Sequence, residues 1–162
     1  MKNVAHKRLA ELAGMARQLE AKSPNCLRTP WALFLEHGCE MKPGKLSFEQ
    51  ARFLVETANW QFGGMSEVLP KQCYYTSQML TLADHSGRIE YVEGYVCNTK
   101  LPIPIDHAWL LVDGIMVDLT LRARNRTWPG KKGRDDYFGI VVNKELLRRT
   151  IVETEVAMPV YQ

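Results

Sequence analysis

The chain lacks any long apolar run. No window of its 162 residues approaches about 18 uninterrupted apolar positions, so no membrane-spanning helix and no membrane partner are expected. The opening residues, Met1-Lys-Asn-Val-Ala-His-Lys-Arg8, are polar and run into an amphipathic pattern. They have neither the roughly 7–15-residue apolar stretch nor the small-residue cleavage site of a secretory signal, so a cytoplasmic protein is expected. An excess of one charge is missing too. Lys and Arg number 21 against 18 Asp and Glu, a balance that by itself does not imply nucleic acid. Cysteine is scarce and is not arranged for a metal. Cys26, Cys39, Cys73 and Cys97 show no paired spacing, and His37-Gly-Cys39 has no second pair to complete a zinc site. The four are read as free thiols, most of them buried, with no metal and no cofactor. Internal repeats and low-complexity stretches are also lacking. What remains is an ordinary globular composition in a chain long enough to bury a core without disulfides. One domain over 1–162 is expected.

Helical signals fill the first part. Leu9, Leu12, Ala16 and Leu19 recur at three- and four-residue intervals, which predicts a helix with one buried face. Ser23-Pro24-Asn25 breaks it. Thr29-Pro30-Trp31 predicts a short helix to about Glu36. Ser47 with Gln50 is a capping box that starts a helix to about Trp60, ended by Gly63-Gly64. A fourth helix is predicted from near Cys73 to near Asp84. The pattern then turns to strands over Arg88–Cys97, Asp106–Val112 and Ile115–Leu121, with Asp113-Gly114 as a hairpin turn between the last two. Phe138–Val142 and Ile151–Val160 are further strand candidates, and Asn143 is placed to cap a short helix between them. Helices first and an antiparallel sheet afterwards define an α+β fold, with a helical part over 1–65 and a helix-plus-sheet core over 70–162. Between strands lies a basic loop carrying Arg122, Arg124, Arg126, Lys131, Lys132 and Arg134. It reads either as a solvated loop or as a contact for phosphate, nucleic acid or an acidic partner.

Three residues carry chemistry together. A cysteine nucleophile must be a thiolate, and the two means of lowering its pKa are a helix N-terminus and a neighbouring imidazole. Cys73 stands where the fourth helix begins. If Asp113-Gly114 is a two-residue turn, Val112 pairs with Ile115, Leu111 with Met116, Trp109 with Asp118 and His107 with Thr120. His107, Trp109, Asp118 and Thr120 then share one sheet face, and Asp118 is the diagonal neighbour of His107. The opposite face is wholly apolar. A slip of one residue would separate His107 from Asp118. Gln72 and the backbone N–H of Cys73 are oxyanion candidates, as are Asn59, Trp60 and Gln61 further upstream. Trp109 is an oxyanion or substrate candidate and is also placed to shield the His107–Asp118 bond. Glu93 is placed mid-strand, either exposed or touching substrate, and Tyr74 and Tyr75 either line a cleft or pack between helix and sheet.

Cys73 opening a helix, His107-Ala-Trp109 opening a strand and Val117-Asp118-Leu-Thr120 on the next resemble the transglutaminase-like branch of the papain-type cysteine enzymes. Tyr91-Val-Glu-Gly-Tyr95 and Tyr137-Phe-Gly-Ile140 extend a likeness to small bacterial and phage members of that superfamily. The resemblance spans about Cys73 to Leu121 and departs from the family around Lys71-Gln72-Cys73. It implies acyl transfer on an amide or isopeptide bond of a protein or peptide, with Cys73 as nucleophile, His107 as acid–base and Asp118 fixing the tautomer. The competing class is a binding or adaptor module of the same fold that uses the basic loop. Oligomeric state has no sequence signal.

Overall fold

The computed structural model describes residues 4–20, 30–68, 71–98, 101–121 and 135–161. Cys26, the break at 23–25 and the basic stretch 122–134 lie outside the described residues. Helices α1 (Val4–Glu20) and α2 (Pro30–His37) come first, followed by a short strand β1 (Cys39–Met41) and helix α3 (Phe48–Phe62). A single 3-10 turn (Met65–Glu67) precedes helix α4 (Cys73–Ala83). Strands β2 (Ile89–Asn98), β3 (Leu101–Val112), β4 (Ile115–Val117) and β5 (Asp136–Val142) lead to a last helix, α5 (Lys144–Thr154). The fold is mixed α+β, and no helix among the described residues is long and apolar enough to cross a membrane.

Local chemistry accounts for several boundaries. Ser47 Oγ accepts the Gln50 N–H at 3.2 Å while Gln50 Oε1 accepts the Ser47 N–H at 2.9 Å, satisfying two donors that α3 leaves without helical partners. Such a cap contributes about 1 kcal/mol. Gly63 ends α3 at φ +82°, a left-handed conformation that costs glycine nothing. Asn143 Oδ1 accepts from the N–H groups of Glu145 and Leu146 and starts α5.

The strands form one antiparallel sheet in the order β1-β5-β2-β3-β4. The sheet curls. Just beyond β1 at one edge, Pro43 bridges Met116 of β4 at the other, and the Gly44 N–H donates to the Met116 carbonyl at 3.0 Å. The helices cover the outer face. Tyr91, Ala108, Leu110, Val112, Phe138 and Val142 point toward them and pack with Leu54, Leu80 and Leu147, among others. Inside the curl, Val92, Val96, Trp109, Met116 and Tyr137 form a second core with Met41 and Leu111 against it. Each face is apolar because each meets a partner, so β2 is buried almost throughout.

Four elements differ from the sequence-based expectation, each for a physical reason. β1 lies within the part read as helical; three residues are too few to show a period. β3 begins at Leu101 and not at Asp106, although Pro102 and Pro104 lie within it. Proline is tolerated there because β4 pairs only with Leu110, Leu111 and Val112, leaving that side of β3 without a described ladder partner. β4 stops at Val117, so Trp109–Asp118 and His107–Thr120 are not ladder pairs. The expected strand Ile151–Val160 is instead the end of α5 followed by an irregular tail. Leu147 and Ile151, four residues apart, both pack on Tyr91 and Ala108, and that helical spacing prevails over the apparent alternation.

Candidate functional site

Lys71 turns the chain into α4 at φ +68°, a left-handed conformation that is strained for a residue with a Cβ. Gln72 is the N-cap and makes no side-chain capping bond, so Cys73 is the first helical residue. The N–H groups of the first helical turn have no carbonyl four residues earlier in the helix and carry its positive end. The Cys73 side chain packs with Tyr91, Ala108 and Leu147 on the helix-covered face. His107 lies one residue before Ala108, and its ring is directed into the curl. The two still meet, because β4 ends opposite Leu110 and leaves the edge of β3 accessible at 107–108. The sulfur reaches that edge and interacts with the His107 ring and with the backbone N–H groups of Ala108 and Tyr74.

Asp118 is the first residue beyond β4. Its Oδ2 lies 2.7 Å from His107 Nε2 and accepts the Tyr137 hydroxyl at 2.9 Å. Its Oδ1 accepts from the backbone N–H groups of Thr120 and Leu121, both at 3.1 Å, and from the Thr120 hydroxyl at 3.4 Å. The carboxylate is only 1% exposed, yet both oxygens are saturated with donors, which makes an ionised group tenable there. With Nε2 on Asp118, Nδ1 is the ring nitrogen left for the thiol.

The electrostatics follow from these contacts. Burial pushes the Cys73 thiol up, but the His107 hydrogen bond and charge, with the Ala108 and Tyr74 N–H groups, overcome it and bring the thiol below its ordinary value. Burial disfavours the imidazolium, but Asp118 and then Cys73 overcome that and raise His107 to about 9. Burial also pushes the Asp118 carboxyl up, and it is more than offset by His107, the Leu121 N–H and the Tyr137 hydroxyl, leaving it below the usual range. All three shifts favour a thiolate–imidazolium–carboxylate arrangement. Cys97 goes the other way: burial, with Asp136 nearby, raises it to about 11.

The remaining candidates separate. Trp109 is 1% exposed, its Nε1–H faces Met41 Sδ at 3.2 Å, and its ring lies 6.1 Å from that of His107. It packs behind the imidazole and is too enclosed to touch substrate or an oxyanion. Its indole rests on two paired glycines. A Cβ on Gly94 or on Gly139 would come within 2.7 Å of the ring, which accounts for both glycines in the Tyr91–Tyr95 and Tyr137–Ile140 segments. Glu93 is not an exposed strand carboxylate. It is 2% exposed beneath α4, where it accepts the Tyr91 hydroxyl at 2.7 Å and the N–H groups of Val160 and Tyr161. Gln72 is exposed beside Cys73. Trp60 lies with its ring 6.3 Å from that of His85, by the far end of α4. Asn59 and Gln61 flank it near the end of α3. The six basic residues of 122–134 fall outside the described residues.

Tyr137 and the Ala108 N–H were not singled out from sequence. The side-chain alternation along β5 does put Tyr137 on the face of Gly139, but the β2–β5 register that brings it to Asp118 is a long-range pairing with no local signal. Sequence neighbours do not help here: no family model, no curated protein and no solved structure matches this chain.

Proposed function

We propose that the chain is a cysteine-dependent hydrolase or acyl transferase acting on an amide or isopeptide bond of a peptide or protein, on a helix-plus-sheet core of the papain-like, transglutaminase-like kind. One observation carries the reading: a single imidazole lies between a thiol of lowered pKa and a saturated, buried carboxylate. In the first step the Cys73 sulfur attacks the substrate carbonyl, and His107 holds the thiol proton. As the tetrahedral intermediate collapses, His107 delivers that proton to the departing amine, leaving a thioester. Water or a second amine, deprotonated by His107, then releases the acyl group and regenerates the thiol. Asp118 keeps Nε2 protonated throughout. The backbone N–H of Cys73, at the positive end of α4, is the preorganised donor nearest the developing oxyanion.

Alkylation by iodoacetamide across pH, read cysteine by cysteine by peptide mass spectrometry, tests this. Cys73 is expected to react well below about pH 8, where an ordinary thiol is mostly protonated, and His107→Ala is expected to slow it at pH 7 by about tenfold or more. Equal reactivity of Cys73 and the exposed Cys39 in the wild type would overturn the reading.

A further inference from the structure

A cavity of about 640 Å³ opens at the N-terminal tip of α4, beside the nucleophile. We propose that it binds an uncharged, bulky stretch of a substrate peptide adjoining the bond that Cys73 attacks, and that Tyr75 and the segment 155–157 set this preference. The inference rests on the acyl-transfer reading and adds the substrate class.

Position comes first. Gln72 and Tyr74, which flank Cys73, both line the cavity, and consecutive Cα atoms lie only about 3.8 Å apart. The cavity thus adjoins the residue that carries the nucleophile, while Cys73 itself turns toward the sheet and is not one of the walls. Size is the second point. The volume is within the range of roughly 300–1,000 Å³ found for ligand sites, and exposed Gln72, Tyr75 and Val156 leave the cavity open to solvent. An open trough suits a polymer segment that continues past it more than a small enclosed acyl group. Chemistry is the third. Tyr74, Tyr75, Val156 and Ala157 offer aromatic and aliphatic surface, while Lys71 and Glu155 contribute one charge of each sign. The walls thus favour no net charge on the ligand. The Gln72 amide, uncommitted to capping, is available for a peptide group.

The far wall is anchored. Glu155 turns the chain out of α5 at φ +55°. Beyond the wall, the tail is pinned by buried side chains: Gln78 Nε2 donates to the Met158 carbonyl at 2.6 Å, and Glu93 takes the Val160 and Tyr161 N–H groups. Burying a carboxylate is costly unless its hydrogen bonds are made, and here two of them hold the backbone that follows the wall. Glu93 is thus a positioning residue for the cavity.

The test uses the full chain and two kinds of alkylator, iodoacetamide and a positional library of acetyl-tripeptidyl chloromethyl ketones, with the labelled site read by mass spectrometry. Library members with aromatic or large aliphatic side chains are expected to label Cys73 about tenfold faster than those with Asp or Lys. Tyr75→Ala and Val156→Glu, both at exposed positions, are expected to reduce that preference several-fold relative to the iodoacetamide rate. Glu93→Gln is expected to lose the preference for the same members. A wild-type protein that labels with all members alike, or variants that keep the ranking, would overturn the cavity assignment. Loss of the His107-dependent iodoacetamide reaction would instead overturn the acyl-transfer reading, and this inference with it.

Discussion

Tyr137 donates its hydroxyl to the same Asp118 oxygen that faces His107 Nε2, so one carboxylate atom ties β5 to the hairpin that carries the imidazole. The Tyr137 ring also packs edge-on against Trp109 at 5.2 Å. The hydroxyl therefore serves the charge and the ring serves the core, and a substitution can separate the two.

Tyr137→Phe keeps the ring and deletes one donor to a buried ionised group. Hydrogen bonds to charged partners contribute about 1.5–3 kcal/mol, so urea unfolding at pH 7 is expected to show a loss of that size. A loss below about 0.5 kcal/mol would mean that the other donors to Asp118 suffice.

The His107–Asp118 pair predicts a stability profile with two edges. His107 is raised from 6.5 to about 9, so its contribution is complete below about pH 6.5 and lost as pH rises through the folded value. Asp118 is lowered from 3.8, so its contribution is present above about pH 4 and lost as pH falls through the folded value. Cys73, itself lowered, has the opposite dependence to His107 and must be removed. In a Cys73→Ala background the folded pKa of His107 falls somewhat, since the thiol no longer supports it. The unfolding free-energy difference between Cys73→Ala and Cys73→Ala/His107→Gln is expected to be largest between about pH 4 and 6.5 and to shrink on the alkaline side. A difference that grows from pH 6.5 to 9 would contradict the assigned pair.

Gly139→Ala tests the seat of Trp109. Its Cβ would lie 2.5 Å from the Glu93 carbonyl oxygen and 2.7 Å from the indole. Overpacking of this kind costs about 1–3 kcal/mol, or more where backbone must shift. Thermal unfolding is expected to show that loss, and adding Trp109→Phe is expected to recover only part of it, because the Glu93 carbonyl stays in place. Full recovery would show that the indole alone requires the glycine.

Much of this was legible in the sequence because it is local. The Ser47–Gln50 box, the Gly63 stop, the Asp113-Gly114 turn and the register Val112–Ile115 follow from neighbouring residues, and all are present. The nearness of His107 and Asp118 follows from that register even though the ladder stops one residue short of Asp118. What was not legible is long-range. The insertion of β5 between β1 and β2, the curl that encloses Trp109, and the docking of the tail on Glu93 depend on residues tens of positions apart. Glu93 shows the limit well. A carboxylate in an alternating strand looks solvent-facing until one knows that a backbone segment 67 residues later comes to lie on it.

The place of β5 also bears on the order in which the molecule is made. Cys73, His107 and Asp118 all leave the ribosome before residues 136–142, yet β5 sits between two strands already synthesised and brings the Tyr137 hydroxyl to Asp118. A nascent chain that ends near residue 121 already holds Cys73, His107 and Asp118 but has an open seam along β2. Its carboxylate lacks one donor, and the wall at 155–157 does not yet exist. The last strand and the tail therefore complete surroundings whose three central residues are already made: β5 adds the Tyr137 donor to Asp118, and the chain beyond it adds the wall at 155–157.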